Sequence, residues 1–286
     1  MKSVVVTGAS TGIGWGCAKV LTASGFRVFG SVRKQDDAER LARQLGPNFT
    51  PLIFDVTDEA AVAAAAKQVD AALRGETLFG LVNNAGIAVP GPLLYQKIDD
   101  FKLQISVNVI GHLIVTQAFA TLLGADRARK GAPGRIVMIS SVGGRNASPF
   151  LGAYSASKFA LEGMSESLRR ELLPFGIDVI VVAPGTVATS IWDTPDAVNV
   201  AEFAHTAYAR PLARLKAHMI TNSRRGLSPE QLGETVKIAL TAARPKTRYT
   251  VSPDSLETLV ANTLPKRVVD RIIAGRLGLQ KRPQRA

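Results

Sequence analysis

Short apolar runs alternate along the chain with longer segments that have helical periodicity. The strand candidates are residues 3–7, 27–31, 50–54, 78–82, 135–140, 177–183 and 248–251. Several of these runs are almost continuously apolar, which is typical of strands that helices cover on both faces. Helix candidates lie between them, near residues 12–24, 36–45, 58–74, 99–123 and 153–173. The alternation predicts an α/β protein with a doubly wound parallel sheet flanked by helices.

Two segments stand outside this alternation. Residues 188–225 are rich in Ala and Arg, and they follow the end of a strand. We predict an irregular stretch there that acts as a substrate lid; a surface excursion without function is the alternative. The predicted organisation is one catalytic domain over residues 1–252, which includes the lid, and a basic amphipathic C-terminal extension of the same domain over residues 253–286.

The C-terminal extension places basic residues between apolar ones. Its apolar positions are Leu256, Leu259, Val260, Leu264, Val268, Val269, Ile272 and Ile273, and its interleaved basic positions are Lys266, Arg267, Arg271 and Arg276. A basic amphipathic helix can lie on an anionic membrane. It can equally pack on the core or close a substrate pocket, and we favour packing or closure over membrane contact.

Cysteine content and the N-terminus indicate a reducing environment. Cys17 is the single cysteine among 286 residues, so no intramolecular disulfide is possible. The first residues pass directly into a predicted strand and lack the layout of a signal peptide. No uninterrupted apolar stretch approaches the roughly 18–20 residues of a membrane span. We therefore expect a cytoplasmic protein.

The positive charge is concentrated near the C-terminus. The formal charge is +12; residues 1–199 hold 19 Lys and Arg against 17 Asp and Glu, and residues 200–286 hold 16 against 6. A basic solvated face is the simplest interpretation, and an anionic membrane surface or an acidic substrate group are the alternatives. We expect no nucleic-acid partner, because no recognition module is visible.

A glycine-rich turn follows the first predicted strand and opens the first predicted helix. It reads Thr7-Gly8-Ala9-Ser10-Thr11-Gly12-Ile13-Gly14. Glycines let the backbone turn sharply and approach a pyrophosphate, and a helix N-terminus offers free N–H groups to an anion. This context predicts a Rossmann-type dinucleotide site that uses Gly8, Ser10, Thr11, Gly12, Ile13 and Gly14. A tight turn in a domain that binds no nucleotide is the alternative.

The end of the second predicted strand bears on the choice of dinucleotide. An acid there would bind the ribose 2′-hydroxyl of NAD. This strand instead ends Gly30-Ser31-Val32-Arg33-Lys34. Arg33 and Lys34 can pair with a 2′-phosphate, so we predict that NADP(H) is favoured over NAD(H).

Tyr154 and Lys158 lie four residues apart at the start of a predicted helix. That spacing turns both side chains to the same face. An ammonium beside a phenol favours the phenolate, so we expect Lys158 to lower the pKa of Tyr154 and make it an acid/base for hydride transfer. Ser140 and Ser141 end a buried strand, where ligands bind in open α/β sheets. A serine hydroxyl there can donate to a substrate carbonyl.

Taken together, these motifs resemble the short-chain dehydrogenase/reductase family, in its single-domain branch. The resemblance covers roughly residues 3–250 and includes the thirteen-residue step from Ser141 to Tyr154. It rests on residues 7–14, Asp55-Val56, Asn83-Asn84-Ala85-Gly86, Asn108, Ser141, Tyr154, Lys158 and Pro184-Gly185-Thr186-Val187-Ala188-Thr189. Residues 78–86 and the C-terminal extension loosely resemble the retinol and hydroxysteroid dehydrogenases.

The resemblance implies a role for each matching residue. Tyr154 would be the acid/base, and Lys158 would bind the nicotinamide ribose. Ser141 would orient the substrate, and Asn108 would hold a water that relays protons to Lys158. Thr189 would hold the nicotinamide carboxamide. The other implied cofactor contacts are Ser31 and Arg33 for the NADP pattern, Asp55 and Val56 for the adenine, Asn83, Asn84, Ala85 and Gly86 for the adenine-ribose side, and Pro184, Gly185 and Val187.

The prediction is an NADP(H)-dependent oxidoreductase that interconverts a carbonyl and an alcohol on an apolar small molecule. The resemblance also implies a homodimer or homotetramer, with a monomer as the alternative. His112, His205 and His218 have no metal-ligand spacing, so we expect no metal. The rival functions are a catalytically silent NADP(H)-binding regulator, a membrane-associated protein that uses the basic tail, and an epimerase or dehydratase on the same fold.

Overall fold

The computed structural model describes residues 1–188, 200–223, 225–253 and 263–280. Seven strands form one sheet in the order β3-β2-β1-β4-β5-β6-β7. The strands are β1 (Ser3–Val6), β2 (Arg27–Val32), β3 (Phe49–Ile53), β4 (Gly80–Asn83), β5 (Arg135–Ile139), β6 (Asp178–Pro184) and β7 (Arg248–Val251). Every neighbouring pair is parallel. The predicted strands and the doubly wound sheet are confirmed.

The predicted helices are also present. They are α1 (Gly12–Ala23), α2 (Gln35–Leu45), α3 (Glu59–Leu73), α4 (Ile98–Ile105), α5 (Gly111–Ala120) and α6 (Gly152–Glu171). A π-helical turn, Ser106–Ile110, joins α4 to α5, and a second one, Thr121–Ala125, follows α5. Three more helices come later in the chain: α7 (Ala209–Ser223), α8 (Pro229–Thr241) and α9 (Lys266–Leu277).

The prediction that residues 188–225 are irregular is wrong for the part that forms α7. The buried side chains of Leu212 and Leu215 give that helix its inner face, three residues apart. The sequence analysis also omitted α8, although its N-terminus carries a clear signal. Ser228 and Gln231 form a reciprocal capping box, with Pro229 in the first turn.

Alternating strand residues feed two separate hydrophobic layers. Val4 and Val6 of β1 join the layer beneath α1, α2 and α8, and Val5 joins the layer beneath α3, α5 and α6. Period-two alternation sends successive side chains to opposite faces of a sheet. Because helices cover both faces, all three valines are buried, and this explains the almost continuously apolar strands.

Helices α1 and α8 pack without intervening side chains where Gly16 meets Pro229. A Cβ atom placed at Gly16 would lie 2.2 Å from the carbonyl oxygen of Pro229. Gly233 faces the same spot, and a Cβ there would lie 2.6 Å from the Gly16 oxygen. The two glycines allow the backbones to touch, and this contact fixes α8 beside α1.

A third apolar cluster joins α7, the described part of the C-terminal extension and the segment before α6. Its buried members are Phe150, Phe203, Leu212, Leu215 and Leu277. Phe150 has a φ of 66°, a left-handed conformation that is rare for a bulky residue, and this cluster holds it in place. Of the predicted extension, α9 therefore packs on the protein through Leu277, whereas Leu256, Leu259 and Val260 lie outside the described residues.

The continuous helix Ile98–Ala125 is long and apolar enough to cross a membrane by length and composition alone. Val115 and Phe119 of this helix are fully buried against the sheet. A core helix of a globular protein passes the same test, and that is the role its packing indicates.

Candidate active site

A cleft of about 330 Å³ opens at the carboxyl ends of the strands. It spans the boundary between β1 and β4, where the strand order reverses direction. Ligands of open α/β sheets bind at such a switch point. The predicted residues that line this cleft are Gly8, Ser10, Thr11, Gly12, Ile13, Ser31, Arg33, Asp55, Val56, Ala85, Gly86, Ser141, Tyr154, Lys158, Pro184, Gly185 and Val187.

The glycine-rich loop is shaped by contacts that leave no room for side chains. Gly8 and Gly12 have φ values of 65° and 56°, which glycine adopts at no steric cost. A Cβ at Gly14 would lie 2.1 Å from the Gly8 oxygen. Gly14 lies outside the cleft lining. Its role is to let the first turn of α1 pack directly under the loop. The Ser31 hydroxyl accepts a hydrogen bond from the Gly8 N–H at 2.9 Å and fixes the loop to β2.

The end of β4 corrects one predicted contact. Asn83 is fully buried and donates to the Thr116 hydroxyl at 2.9 Å, so it does not reach the cleft. Asn84 lines the cleft instead, and its side chain donates to the carbonyl oxygens of Thr7 and Gly8 at 2.9 and 3.2 Å. Neighbouring residues of a strand point to opposite faces of the sheet, so a shift of one residue decides which asparagine faces the cleft. Asn84 thus braces the glycine-rich loop from the neighbouring strand.

The end of the cleft that is predicted to hold the adenine is lined by both basic and acidic side chains. Arg33 is exposed and lies 3.9 Å from the Asp55 carboxylate. Partial burial raises the pKa of Asp55, but hydrogen bonds from Thr57 and the Arg33 charge outweigh it and leave that pKa below its ordinary value. Asp37 also lines the cleft, and Arg40 pairs with it at 2.6 Å. The Asp37 charge is therefore partly neutralised, while Arg33 remains accessible.

The predicted catalytic side chains meet at the other end of the cleft. The hydroxyl groups of Ser141 and Tyr154 are hydrogen-bonded to each other. Ser141 also accepts from the Gly143 N–H at 3.0 Å, so the turn after β5 fixes its side chain. Lys158 is buried; its Nζ lies 5.7 Å from the centroid of the Tyr154 ring and donates to the Ile139 carbonyl at 2.9 Å. One helical turn brings the phenol and the ammonium together, as the spacing predicts.

The expected depression of the Tyr154 pKa is wrong for this structure. Burial raises the pKa of Tyr154, and the hydrogen bond from Ser141 only partly offsets it. Burial also lowers the pKa of Lys158 to about 8, against the opposing charge of Glu162. The cause in both cases is desolvation, which disfavours the charged form of either group. The resting site therefore holds a protonated phenol, ready to donate a proton.

Asn108 lies behind the catalytic groups, inside the π-helical turn. Its side chain accepts from the Ile87 N–H and donates to the Ile87 oxygen, both at 2.9 Å. It also donates to the Ser157 hydroxyl at 2.9 Å, and Ser157 in turn donates to the Tyr154 carbonyl. The amide thus ties the loop after β4 to the helix that carries Tyr154. Its part in a water relay stays a prediction.

Thr189 lies outside the described residues. The structure adds cleft residues that the sequence analysis did not predict as contacts: Val32, Asp37, Phe54, Ile87, Val107 and Ile139. Phe54 and Ile139 each end a strand or follow one directly, so the rule that ligands bind at carboxyl ends was a usable signal for them. Val107 comes from the π-helical turn, for which apolar periodicity gives no warning.

Two comparisons with known sequences bear on this geometry. The family model described as short chain dehydrogenase matches residues 2–197. A protein of Ornithobacterium rhinotracheale named NADPH-dependent 3-dehydrocapnine reductase is 36% identical over 273 residues, which cover 95% of this chain and 96% of that protein. Human retinol dehydrogenase 5 is 34% identical over 286 residues, covering 94% of this chain and 87% of that protein. The loose likeness to retinol dehydrogenases is confirmed.

Solved structures of short-chain dehydrogenases share the fold of this chain. A short-chain dehydrogenase from Streptomyces avermitilis superimposes with a TM-score of 0.74 at 26% identity, covering 96% of this chain and 94% of that one. A metagenomic short-chain oxidoreductase in complex with NADP superimposes with a TM-score of 0.68 at 28% identity, covering 88% and 97%. The family model, the relatives and the solved structures all identify the same family, and this chain is an oxidoreductase of the short-chain dehydrogenase family.

Proposed function

We propose that this enzyme interconverts a carbonyl and an alcohol on an apolar small molecule, with NADP(H) as its cofactor and Tyr154 as its acid/base. The observation that supports this most directly is the hydrogen bond between the Ser141 and Tyr154 hydroxyls. This pair lies at one end of the cleft, and the glycine-rich loop lines the other end. A hydride donor or acceptor and a proton donor are the two components that the reaction needs.

The cleft fits a dinucleotide on its own geometry. Gly14 would place a Cβ 2.1 Å from the Gly8 oxygen, so the loop and α1 make a closed turn that only glycine permits. In the described part of the chain, the Thr11 side chain makes no capping hydrogen bond to the backbone N–H groups at the start of α1. These N–H groups are therefore left to bind a phosphate. NADP(H) supplies the hydride when bound. Lys158, which lines the cleft, would hold its ribose.

The protonation state of Tyr154 in the resting site determines the direction in which it can transfer a proton. A protonated Tyr154 can donate its proton to the oxygen of a carbonyl substrate as hydride arrives at the carbon. Ser141, held by the Gly143 N–H, donates a hydrogen bond to the same oxygen and orients it. In the oxidative direction Tyr154 must first lose its proton, which burial opposes. The positive charge of Lys158 favours the phenolate and acts against burial, and an oxidised nicotinamide would act in the same direction.

The preference for NADP(H) rests on Arg33. Its side chain is largely exposed at the mouth of the adenine end, where a 2′-phosphate would lie beside it. The relative named as an NADPH-dependent reductase and the structure solved with NADP support the same cofactor. The relatives named retinol dehydrogenases support an apolar alcohol or carbonyl as substrate.

The proposed setting is a cytoplasmic homodimer or homotetramer. Exposed apolar side chains on α4, α5 and α6, namely Leu103, Leu113 and Phe159, support an interface through these helices. The packing of α9 on α7 supports an extension that belongs to the catalytic domain, with 188–225 as the lid. We favour this arrangement over membrane contact through the basic tail.

The test is a panel of apolar ketones, aldehydes and alcohols, followed at the nicotinamide absorbance with either cofactor. Tyr154→Phe should lower kcat at least about 100-fold, because it removes the acid/base, and leave the cofactor Kd nearly unchanged. Tyr249→Phe is the matched control, since Tyr249 is a half-buried tyrosine on β7 outside the cleft lining. Full activity in Tyr154→Phe would refute the mechanism. Cofactor binding without turnover on any substrate would favour the silent regulator instead.

A further inference from the structure

A charged cluster lies directly behind the catalytic residues. Glu162 sits one helical turn beyond Lys158 on α6, and Arg248 of β7 faces it. Arg248 holds both oxygens of Glu162: Nε lies 3.4 and 3.2 Å from Oε1 and Oε2, and Nη2 lies 3.2 Å from Oε1. The two side chains are only 14% and 15% exposed. A buried, bidentate pair of this kind has a fixed geometry.

The cluster also contacts the turn that carries Ser141. Arg248 donates from Nη2 to the Ser141 carbonyl oxygen at 3.5 Å. The Gly144 backbone packs so tightly against α6 that a Cβ there would lie 3.1 Å from both the Glu162 Cγ and the Lys158 oxygen. The β7 strand, the Ser141 turn and the Lys158 helix therefore meet at one buried ion pair.

Glu162 also supplies a charge next to Lys158. Its carboxylate favours the ammonium form of Lys158 and works against burial. Within the part of the chain that the structure describes, other ionisable groups also lie around these two side chains. They are Arg248, Arg145 at 3.8 Å from Glu162 and more than half exposed, Tyr154, and His112, whose pKa burial lowers to about 3 so that it stays neutral. Because Glu162 is paired with Arg248, the charge that Glu162 presents to Lys158 depends on that pair.

We propose that Glu162 and Arg248 are positioning residues of the reaction: the pair anchors the Ser141 turn and tunes the charge state of the buried Lys158. Neither side chain lines the cleft, so both act through the residues that do. The inference rests on the proposed function, because it assigns the pair a part in that proton transfer.

The two partners should shift the pH profile in opposite directions. In carbonyl reduction the active form has a charged Lys158, so kcat/KM falls as pH rises through its pKa. Glu162→Gln removes the carboxylate and leaves Arg248 unpaired, which lowers that pKa and moves the basic limb to lower pH. Arg248→Met leaves Glu162 facing Lys158 and moves the limb to higher pH. Each shift should reach about half a pH unit or more.

Two further variants separate electrostatics from folding. The double variant Glu162→Gln/Arg248→Met removes both charges, so its limb should return towards that of the wild type. Glu166→Gln is the matched control: it breaks an i,i+4 pair with Arg170 on the same helix, but both partners are exposed. Its pH profile and kcat should equal those of the wild type. A structural role alone would lower activity in both single variants without opposite shifts.

A readout that needs no turnover keeps this inference distinct from the proposed function. The pH dependence of the melting temperature, taken as a difference from Lys158→Met in the same background, reports the pKa of Lys158. That curve should move to lower pH in Glu162→Gln and to higher pH in Arg248→Met, even if no carbonyl on the panel is reduced. Shifts in the same direction, no shift, or an equal shift in Glu166→Gln would overturn the inference.

Discussion

The buried Lys158 should make the stability of this protein rise with pH. Its pKa in the folded protein is about 8, against 10.5 as its reference value. Between these two values the unfolded chain binds more protons than the folded one, so the free energy of unfolding increases as pH rises. At 1.36 kcal/mol per pKa unit, keeping Lys158 charged in the fold costs about 3 kcal/mol at pH 7. Most of that cost disappears by pH 10.

The measurement is urea denaturation of wild type and Lys158→Met at a series of pH values. The difference in unfolding free energy, wild type minus variant, should increase by about 2–3 kcal/mol from pH 7 to pH 10. Other ionisable groups are common to both proteins and cancel. The lost hydrogen bond to Ile139 shifts the whole difference curve rather than its slope.

Lys67→Met, at an exposed position on α3, supplies the background for removing any lysine. Its difference curve should lack the rise that Lys158→Met produces. A flat or falling difference for Lys158 would refute the reasoning. It would mean that the Lys158 ammonium is solvated or paired well enough to offset its burial.

Three other outcomes follow from single residues. Arg33→Ala should raise the KM for NADPH about tenfold or more while changing that for NADH little, because it removes the accessible guanidinium; equal losses with both cofactors would contradict its role. Gly16→Ala should lower the free energy of unfolding by about 1–3 kcal/mol in urea, because its Cβ meets the Pro229 backbone; an unchanged midpoint would show that α8 moves freely. Cys17, whose pKa burial raises to about 12, should react with a thiol reagent only on unfolding; fast labelling of the native enzyme would show that α1 opens.

Much of the fold was predictable because its signals are local. Apolar runs that need cover on both faces marked the strands, and the glycine-rich turn marked the start of α1. The α8 capping box was equally local, and its omission was a missed signal. By contrast, α7 lies in an Ala- and Arg-rich segment, where only its contacts with Phe150, Phe203 and Leu277 distinguish a helix from a loop.

The candidate site also has features that the sequence predicts and features that depend on the fold. Spacing alone placed Tyr154 and Lys158 on one helical face and Ser141 at a strand end, because helix and strand geometry fix those positions. Which of Asn83 and Asn84 faces the cleft depended on the register of β4, which the neighbouring strands determine.

The sequence by itself determined which chemical groups this protein has and roughly where each lies along a strand or helix. Only the tertiary structure decided their charge states. The raised pKa of Tyr154 and the lowered pKa of Lys158 come from burial, and burial is a property of packing. The pairing of Glu162 with Arg248 joins residues 86 positions apart. No local pattern reports such a contact, because the free energy that forms it arises only when distant segments exclude water together.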